Sequence, residues 1–374
     1  MGCPVYSNQS QLPTVHCSTK KFSAVSPLCP NSYIVSTVKL YFTILLLSFK
    51  DRVLPTIIFP IFTALAFKLL FGRIAAAGLT EQLGTHCRTT PEFTPQIFTG
   101  VPAIDQTLCP LVTFFNTLMH DDTGMSFLTY AIGTGGPLVL IPTFEAYRPG
   151  QSFLLAYPVI WLLISQLMSI AATLPLYWLA FILMGGARKA RNVDSKLVTQ
   201  AESESLVFGI IMGVVVPSVA MLILDDPIVT AMWQFYPAFV AIAESVHLFF
   251  RTSANHPQSG HVTLRVLFIA CFLISSSVHI STVWPLFSDL ENLKALLLPS
   301  IHLLDSKVDI AVHLLDFLKW DMLLGFSSTA VATLWFTSSA KQLFAIIAWY
   351  AFAIPAFGFG AAITGVAVWR NSFV

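Results

Sequence analysis

Charged side chains are scarce in this sequence. Of its 374 residues, 10% are Asp, Glu, Lys or Arg, where an ordinary globular chain has about a quarter. Hydrophobic residues make up 55% of the chain, and the mean hydropathy is +0.74. Such a chain has too little polar surface to face water on all sides. The composition therefore excludes a water-soluble domain and predicts an all-α, polytopic transmembrane helical bundle.

An excess of charge of either sign is also missing. Twenty basic and 19 acidic residues leave a formal net charge of +1, so no bulk field favours nucleic acid. The six cysteines form neither a CxxC pair nor a His/Cys cluster at zinc spacing. We expect no metal centre, and the sequence leaves disulfide pairing undecided.

Motifs for cofactor and metal chemistry are lacking as well. There is no Walker loop, HExxH or GxSxG. An enzyme that ionises a prenyl diphosphate needs Asp-rich pairs to hold Mg²⁺. Here Asp305 and Asp309 stand alone, and the Asp pairs at 121–122 and 225–226 have no third acid at the required spacing. The sequence thus predicts no cofactor, which leaves Brønsted acid chemistry in an apolar pocket or no chemistry.

Apolar stretches close to the ~20 residues that cross a bilayer recur along the chain. We predict roughly eight spans. The segment 33–49 either spans or lies on the surface, and 110–119 is either re-entrant or the end of a helix that begins near Asp105. The run 152–184 is one long kinked helix or a broken pair, because it carries Pro158 and Pro175. The candidate spans are 53–72, 126–144, 152–184, 205–224, 228–250, 263–284, 317–336 and 343–369.

The domain organisation follows from these spans. Residues 1–32 are predicted to form a mobile arm, and 33–374 a single transmembrane domain with a polar insert at about 73–109. The loop at 185–196 carries four basic residues, so the positive-inside rule predicts that it is cytoplasmic. No internal repeat is evident by inspection.

Ionisable side chains inside apolar runs are costly in lipid and are candidates for function. Glu145 ends one span with Arg148 three residues on, which suits either an interfacial ion pair or a proton donor. Glu244 lies deep in a span with His247 one turn later, so the two could share a proton or clamp two helices together.

Two further acids precede apolar segments. Asp105 lies before the apolar segment at 110–119. Asp321 follows Trp320 at the start of another apolar stretch, where it is either a site residue or a helix N-terminal acid favoured by the dipole.

Aromatic residues recur near these acids. Most suit membrane belts or packing, but some could line a cavity whose π faces stabilise carbocations. The candidates for substrate binding are Phe115, Trp233, Tyr236 and Trp320, together with Arg148.

Five stretches of the chain resemble a family of fungal integral membrane proteins of meroterpenoid pathways, the terpene cyclases of ascochlorin and ascofuranone biosynthesis. The stretches are GVPAIDQTLCPLVTFFNTLM, GTGGPLVLIPTFEAYRPG, TLPLYWLAFIL, MWQFYPAFVA and FLKWDMLLG. The resemblance runs from about residue 55 to 370 and excludes the N-terminal arm.

The resemblance implies cyclisation of the farnesyl tail of a prenylated aromatic after another enzyme has made a terminal epoxide. The reaction is a metal-independent isomerisation started by a Brønsted acid, and the enzyme is a multi-pass protein of the endoplasmic reticulum. A carboxylic acid kept protonated by desolvation would open the epoxide. We expect Glu145 or Asp321 as donor and Asp105 as its partner, with Glu244 and His247 as terminal base or structural clamp.

The expected partners are a lipophilic prenylated phenol or its epoxide, and membrane lipids. Two other functions stay open from the residues. A transporter of a lipophilic metabolite would use the same acids as a proton relay, and no residue excludes a non-catalytic scaffold.

Overall fold

The computed structural model describes residues 49–79, 81, 83, 87, 97–148, 150–189 and 198–371. The predicted N-terminal arm, the segment 33–48 and part of the basic loop lie outside the described residues. The described chain is built from helices and contains no β-strand, which confirms the all-α class.

The helices are connected mostly by short turns. Short helical turns lie at Phe153–Ala156 and Gly186–Lys189. Two 3₁₀ turns lie at Trp284–Ser288 and Leu334–Phe336. In chain order the helices are α1 (Phe49–Ala76), α2 (Pro102–Met119), α3 (Asp122–Ala146), α4 (Pro158–Met168), α5 (Ile170–Leu183), α6 (Gln200–Leu224), α7 (Pro227–Trp233), α8 (Tyr236–Phe250), α9 (His261–Val283), α10 (Leu290–Leu297), α11 (Ile310–Thr333) and α12 (Ala340–Asn371).

Five segments in the described part of the chain are long and apolar enough to cross a membrane: α1, α3, α6, α9 with its 3₁₀ turn, and α12. Large apolar side chains such as Ile223, Val262 and Phe344 are at least 70% exposed on them, as expected for a surface that faces lipid. The chain is thus a membrane protein, although eight spans are not confirmed.

The run 152–184 is a broken pair of helices that folds back on itself. α4 ends at Met168, and α5 begins at Ile170. The rings of Trp161 and Tyr177 are 5.9 Å apart, a separation that a straight helix would stretch to about 24 Å. The two helices therefore form a hairpin with its tip at Ser169.

α12 reverses direction in the same way. Its Gly358 has φ 84° and ψ 164°, outside the helical region. The Trp349 indole donates to the Ala362 carbonyl at 2.9 Å, although these residues would lie about 20 Å apart in a straight helix. The stretch 343–369, which we predicted as one span, is a second hairpin.

Both hairpins begin and end at the same end of the bundle, which we call the basic end. The Arg148 guanidinium donates to the Asn371 side chain at 2.9 Å, and Arg370 donates to the Gly186 carbonyl at 3.2 Å. These contacts bring together the ends of α3, α5 and α12.

The opposite end, which we call the disulfide end, includes two cysteines of the described chain. Cys87 and Cys109 are joined by a disulfide that the sequence left undecided. Nearby, Arg73 forms a 2.9 Å ion pair with Asp316 and donates to the Ile301 carbonyl at 2.6 Å. The last turns of α1 thus contact the first turns of α11 and the segment that precedes it.

The order and direction of three elements recur in the described chain. α1, α3 and the α4–α5 hairpin have their counterparts in α9, α11 and α12: one helix leaves the basic end, another returns to it, and a hairpin follows. Both series start at the basic end, so they run parallel rather than inverted. The hairpin tips are Ser169 in one series and Gly358 in the other.

Candidate active site

The first hairpin is held at its tip by a polar side chain. Ser169 has φ 84° and ψ 151°, a region that residues other than glycine rarely adopt. Its hydroxyl accepts a hydrogen bond from the Ala172 N–H at 3.2 Å. Ser169 thus turns the chain and caps the new helix α5.

Asp321 of α11 meets this tip. Its Oδ1 accepts a hydrogen bond from the Ala171 N–H at 2.7 Å, and the residue is buried. The Ser169 hydroxyl and the Ile170 N–H lie beside the same carboxyl group. The carboxyl group therefore faces the N-terminus of α5, where unpaired N–H groups and the helix dipole favour negative charge.

A glycine allows the tip to approach α11 so closely. A Cβ added at Gly325, one turn after Asp321, would lie 2.6 Å from the Ile170 side chain. Any larger residue would push the tip away from Asp321.

The carboxyl group of Asp321 also faces the main cavity of the bundle, which has a volume of about 450 Å³. The cavity falls within the size range of small-molecule sites, and its walls are mostly apolar. Among the described residues that line it, Asp321 is the only one with a carboxyl group. The other polar side chains that line this cavity are those of Ser165, Gln166, Ser169, Ser218, Trp233 and Tyr236.

Aromatic rings cover one side of this cavity. Phe115 packs edge to face on Trp233 with centroids 4.9 Å apart, and Trp233 lies 5.7 Å from Tyr236. The Trp233 indole donates to the Ser218 hydroxyl at 3.0 Å, which fixes its orientation. The predicted substrate-binding residues Phe115, Trp233 and Tyr236 thus share the cavity with Asp321.

Glu145 lies elsewhere, in a buried ion cluster at the basic end. Its carboxylate forms 2.9 Å ion pairs with Arg148 and with Arg370, and all three side chains are at most 7% exposed. Arg370 also lies 3.7 Å above the Phe336 ring. Two guanidinium groups thus pair with this carboxyl group, and neither Glu145 nor Arg148 lines the main cavity.

Asp105 is at the disulfide end, in the first turn of α2, and binds the loop that precedes this helix. Its carboxylate accepts hydrogen bonds from the hydroxyl and N–H of Thr99, both at 2.7 Å, and from the Gly100 N–H at 3.1 Å. Desolvation opposes its charge, but these hydrogen bonds hold the pKa of Asp105 below its usual range. The geometry does not bring it to Asp321 as a partner.

Glu244 and His247 do not form the pair that their spacing predicted. The imidazole Nε2 of His247 lies 3.8 Å from Glu204, which also binds Arg251. Glu244 lines a smaller cavity beside Tyr147. The two side chains therefore have different neighbours, because Glu204 of α6 lies next to His247, whereas Tyr147 lies next to Glu244.

Trp320 points away from the cavity. Its indole donates to the Ser300 carbonyl at 3.2 Å, and the Arg73 guanidinium lies 5.6 Å from its ring. It helps to fasten the disulfide end, next to the Arg73–Asp316 ion pair.

Sequence reasoning missed Ser169 and Gln166, which line the main cavity. Serine and glutamine in an apolar run carry no motif. The only signal was the possible break between Pro158 and Pro175, which gives a region rather than a residue.

Comparison with known proteins gives one family. The family model described as the CtvD domain matches residues 55–367, which is most of the chain. No curated protein and no solved structure matches the chain significantly.

Proposed function

We propose that this chain, which belongs to the CtvD domain family of meroterpenoid terpene cyclases, cyclises the prenyl tail of an aromatic substrate by acid-catalysed opening of a terminal epoxide. The family supplies the cyclase role. The epoxide, the farnesylated phenol and the assignment of the acid are our proposal.

One observation supports Asp321 as the proton donor. Among the described residues that line the 450 Å³ cavity, Asp321 alone has a carboxyl group. A lipid-soluble tail fits the apolar walls, and a carboxylic acid is the group that an epoxide needs for activation. Glu145 is engaged by two arginines and Asp105 by its loop, so neither takes the donor role in this proposal.

The reaction begins with neutral Asp321, which gives its proton to the epoxide oxygen. The C–O bond to the more substituted carbon breaks, and the bonding electrons stay on the oxygen, which becomes a hydroxyl group. The π electrons of an alkene, or a lone pair of a hydroxyl group, close the ring on the resulting tertiary cation. Loss of one proton then restores neutrality, so that the product is an isomer of the substrate.

The surroundings of Asp321 suit this reaction. The Ala171 N–H, 2.7 Å from Oδ1, and the N-terminus of α5 stabilise the carboxylate that forms as the proton leaves. The faces of Trp233 and Tyr236 attract a carbocation through their π electrons. Apolar walls keep water away from the cation.

We also propose that the protein resides in the endoplasmic reticulum. The Cys87–Cys109 disulfide needs an oxidising compartment at the disulfide end, and the lumen of this organelle provides one.

A transporter of a lipophilic metabolite is the second candidate. Two hairpins that re-enter from one end resemble the broken helices at transporter binding sites. A transporter moves its substrate unchanged, whereas a cyclase returns an isomer.

The test uses membranes that contain the protein, a chelator, and a farnesylated phenol or its terminal epoxide, with products separated by chromatography and weighed by mass spectrometry. We expect a new isomer from the epoxide and none from the alkene. Asp321→Asn keeps the acceptor for the Ala171 N–H but has no acidic proton, so we expect at least a ~100-fold slower reaction.

The matched control is Asp309→Asn, at the N-cap of the same helix and outside the cavity. Asparagine caps as well as aspartate, so this variant should keep its rate. Full turnover by Asp321→Asn would exclude Asp321 as donor. Uptake of unchanged epoxide into sealed vesicles, without any isomer, would favour the transporter.

A further inference from the structure

A second cavity of about 200 Å³ adjoins the main one, on the side of the basic end. Leu162 lines both cavities. On α3 the lining passes from Val139 of the main cavity to Thr143 of the second, one turn later, and on α8 it passes from Tyr236 directly to Pro237. The same three helices, α3, α4 and α8, therefore border both spaces.

The second cavity is more polar than the first, and Glu244 is its acid. The Oε1 atom of Glu244 is buried and has no hydrogen-bond partner among the described residues. Gly209 on α6 makes room for this side chain, since a Cβ there would lie 2.6 Å from the Glu244 Cγ. The Tyr147 hydroxyl, 3.1 Å from the Ser205 hydroxyl, also interacts with the Glu244 carboxyl group, which leaves its Oε1 atom as the acceptor without a partner.

A buried acceptor without a partner is costly and calls for a donor. The second cavity has room for a ligand of about 200 Å³ that carries this donor. An apolar cavity of about 150 Å³ binds benzene, so this space suits one substituted aromatic ring. The edge of that ring would need an O–H group directed at Glu244.

We propose that the second cavity binds the hydroxylated aromatic ring of the substrate whose prenyl tail occupies the main cavity, with the Glu244 carboxyl group accepting a hydrogen bond from a phenolic hydroxyl. This inference rests on the proposed function. Glu244 lies about 12 Å along α8 from Tyr236, which lines the main cavity. A ring held by Glu244 thus sends its tail past Leu162 towards Asp321.

Binding rather than turnover tests this arrangement, in protein that carries Asp321→Asn so that no ligand is consumed. The ligands are a farnesylated resorcinol and its dimethyl ether, and their affinities for the protein in lipid nanodiscs are measured at equilibrium. We expect Glu244→Gln to weaken the resorcinol about tenfold, because an amide oxygen is a weaker hydrogen-bond acceptor than a carboxylate oxygen. The ether, which has no donor, should bind this variant and its parent alike.

Glu202→Gln is the matched control, since Glu202 lies outside both cavities and belongs to the capping box of α6. Glutamine serves in a capping box as glutamate does, so neither affinity should change. If Glu244→Gln weakens the resorcinol and the ether equally, or weakens neither, the assignment of Glu244 is overturned.

Ala241→Phe tests where the ring lies, because Ala241 lines the second cavity and not the main one. The larger side chain should weaken the farnesylated resorcinol at least about tenfold and leave farnesol, which has no ring, unchanged. If farnesol is weakened equally, the ring does not lie in the second cavity.

These measurements separate the two proposals. If the wild type makes no isomer but the resorcinol binds with the expected dependence on Glu244, the ring site stands and the cyclisation fails. If an isomer forms and Glu244→Gln has no effect on binding, the ring site alone fails.

Discussion

Ser169 and Gly358 turn the chain with nearly the same backbone angles. Both have φ 84°, and ψ is 151° at Ser169 and 164° at Gly358. Each is the tip of a hairpin that enters the bundle from the basic end. The surroundings differ: Ser169 caps a helix, whereas a Cβ at Gly358 would lie 2.7 Å from the His279 Nδ1.

Substitution of one tip residue by the other should therefore affect the stability of the protein differently at the two tips. Ser169→Gly relieves the backbone strain and loses one cap, so we expect the stability to change by less than about 1 kcal/mol. Gly358→Ser adds strain and a clash with His279, so we expect a loss of at least about 2 kcal/mol. Thermal unfolding midpoints in detergent measure both, and a smaller loss for Gly358→Ser would contradict this reading of the tips.

The Glu145 cluster should matter for folding and not for chemistry. Glu145→Gln removes the carboxylate that forms ion pairs with two buried arginines, so we expect a loss of about 3–5 kcal/mol. The rate per folded molecule should stay near that of the wild type, because Glu145 does not line the main cavity. Folded protein is measured by size-exclusion chromatography and the rate by isomer formation.

A double variant provides the control. Glu145→Leu with Arg370→Leu removes one charge of each sign, so it should cost less stability than Glu145→Gln. If Glu145→Gln is as stable as the wild type but makes no isomer, Glu145 is the acid after all.

The sequence predicts the environment of this protein well and its site in part. Scarcity of charge was enough for the all-α membrane class, and the cost of acids in lipid singled out Asp321. Phe115, Trp233 and Tyr236 were selected because aromatic residues lie near acids along the chain, and the fold brings them to the same cavity as Asp321.

What the sequence could not give depends on contacts between distant residues. Glu145 was paired with Arg148, three residues away, but its second partner is Arg370, 225 residues away. His247 is close to Glu204 rather than Glu244 for the same reason. The second hairpin was missed because Gly358 lies in an apolar run whose composition also suits one straight span.

Two tryptophans provide a matched test of the aromatic wall. Trp233 lines the main cavity, whereas Trp320 packs on Arg73 outside it. Trp233→Leu removes a π face from the cation, so we expect at least a ~10-fold slower cyclisation or a changed product pattern. Trp320→Leu should lower the unfolding midpoint without a change in products. The product ratios of the two variants are measured by chromatography. Equal product patterns for Trp233→Leu and Trp320→Leu would show that Trp233 has no role in the reaction.

The orientation in the membrane follows from two independent features. The disulfide Cys87–Cys109 places the disulfide end in an oxidising compartment, and the basic residues at 185–196 place the opposite end in the cytoplasm. The exposed residues Asn292 and Asn255 lie at the disulfide end and the basic end respectively. In sealed microsomes, with the cysteines outside the disulfide replaced, a membrane-impermeant maleimide should label Asn255→Cys at once and Asn292→Cys only after permeabilisation. The reverse pattern would place the disulfide on the cytoplasmic side, where glutathione keeps thiols reduced, so the pairing of Cys87 with Cys109 would then have to be abandoned together with the orientation.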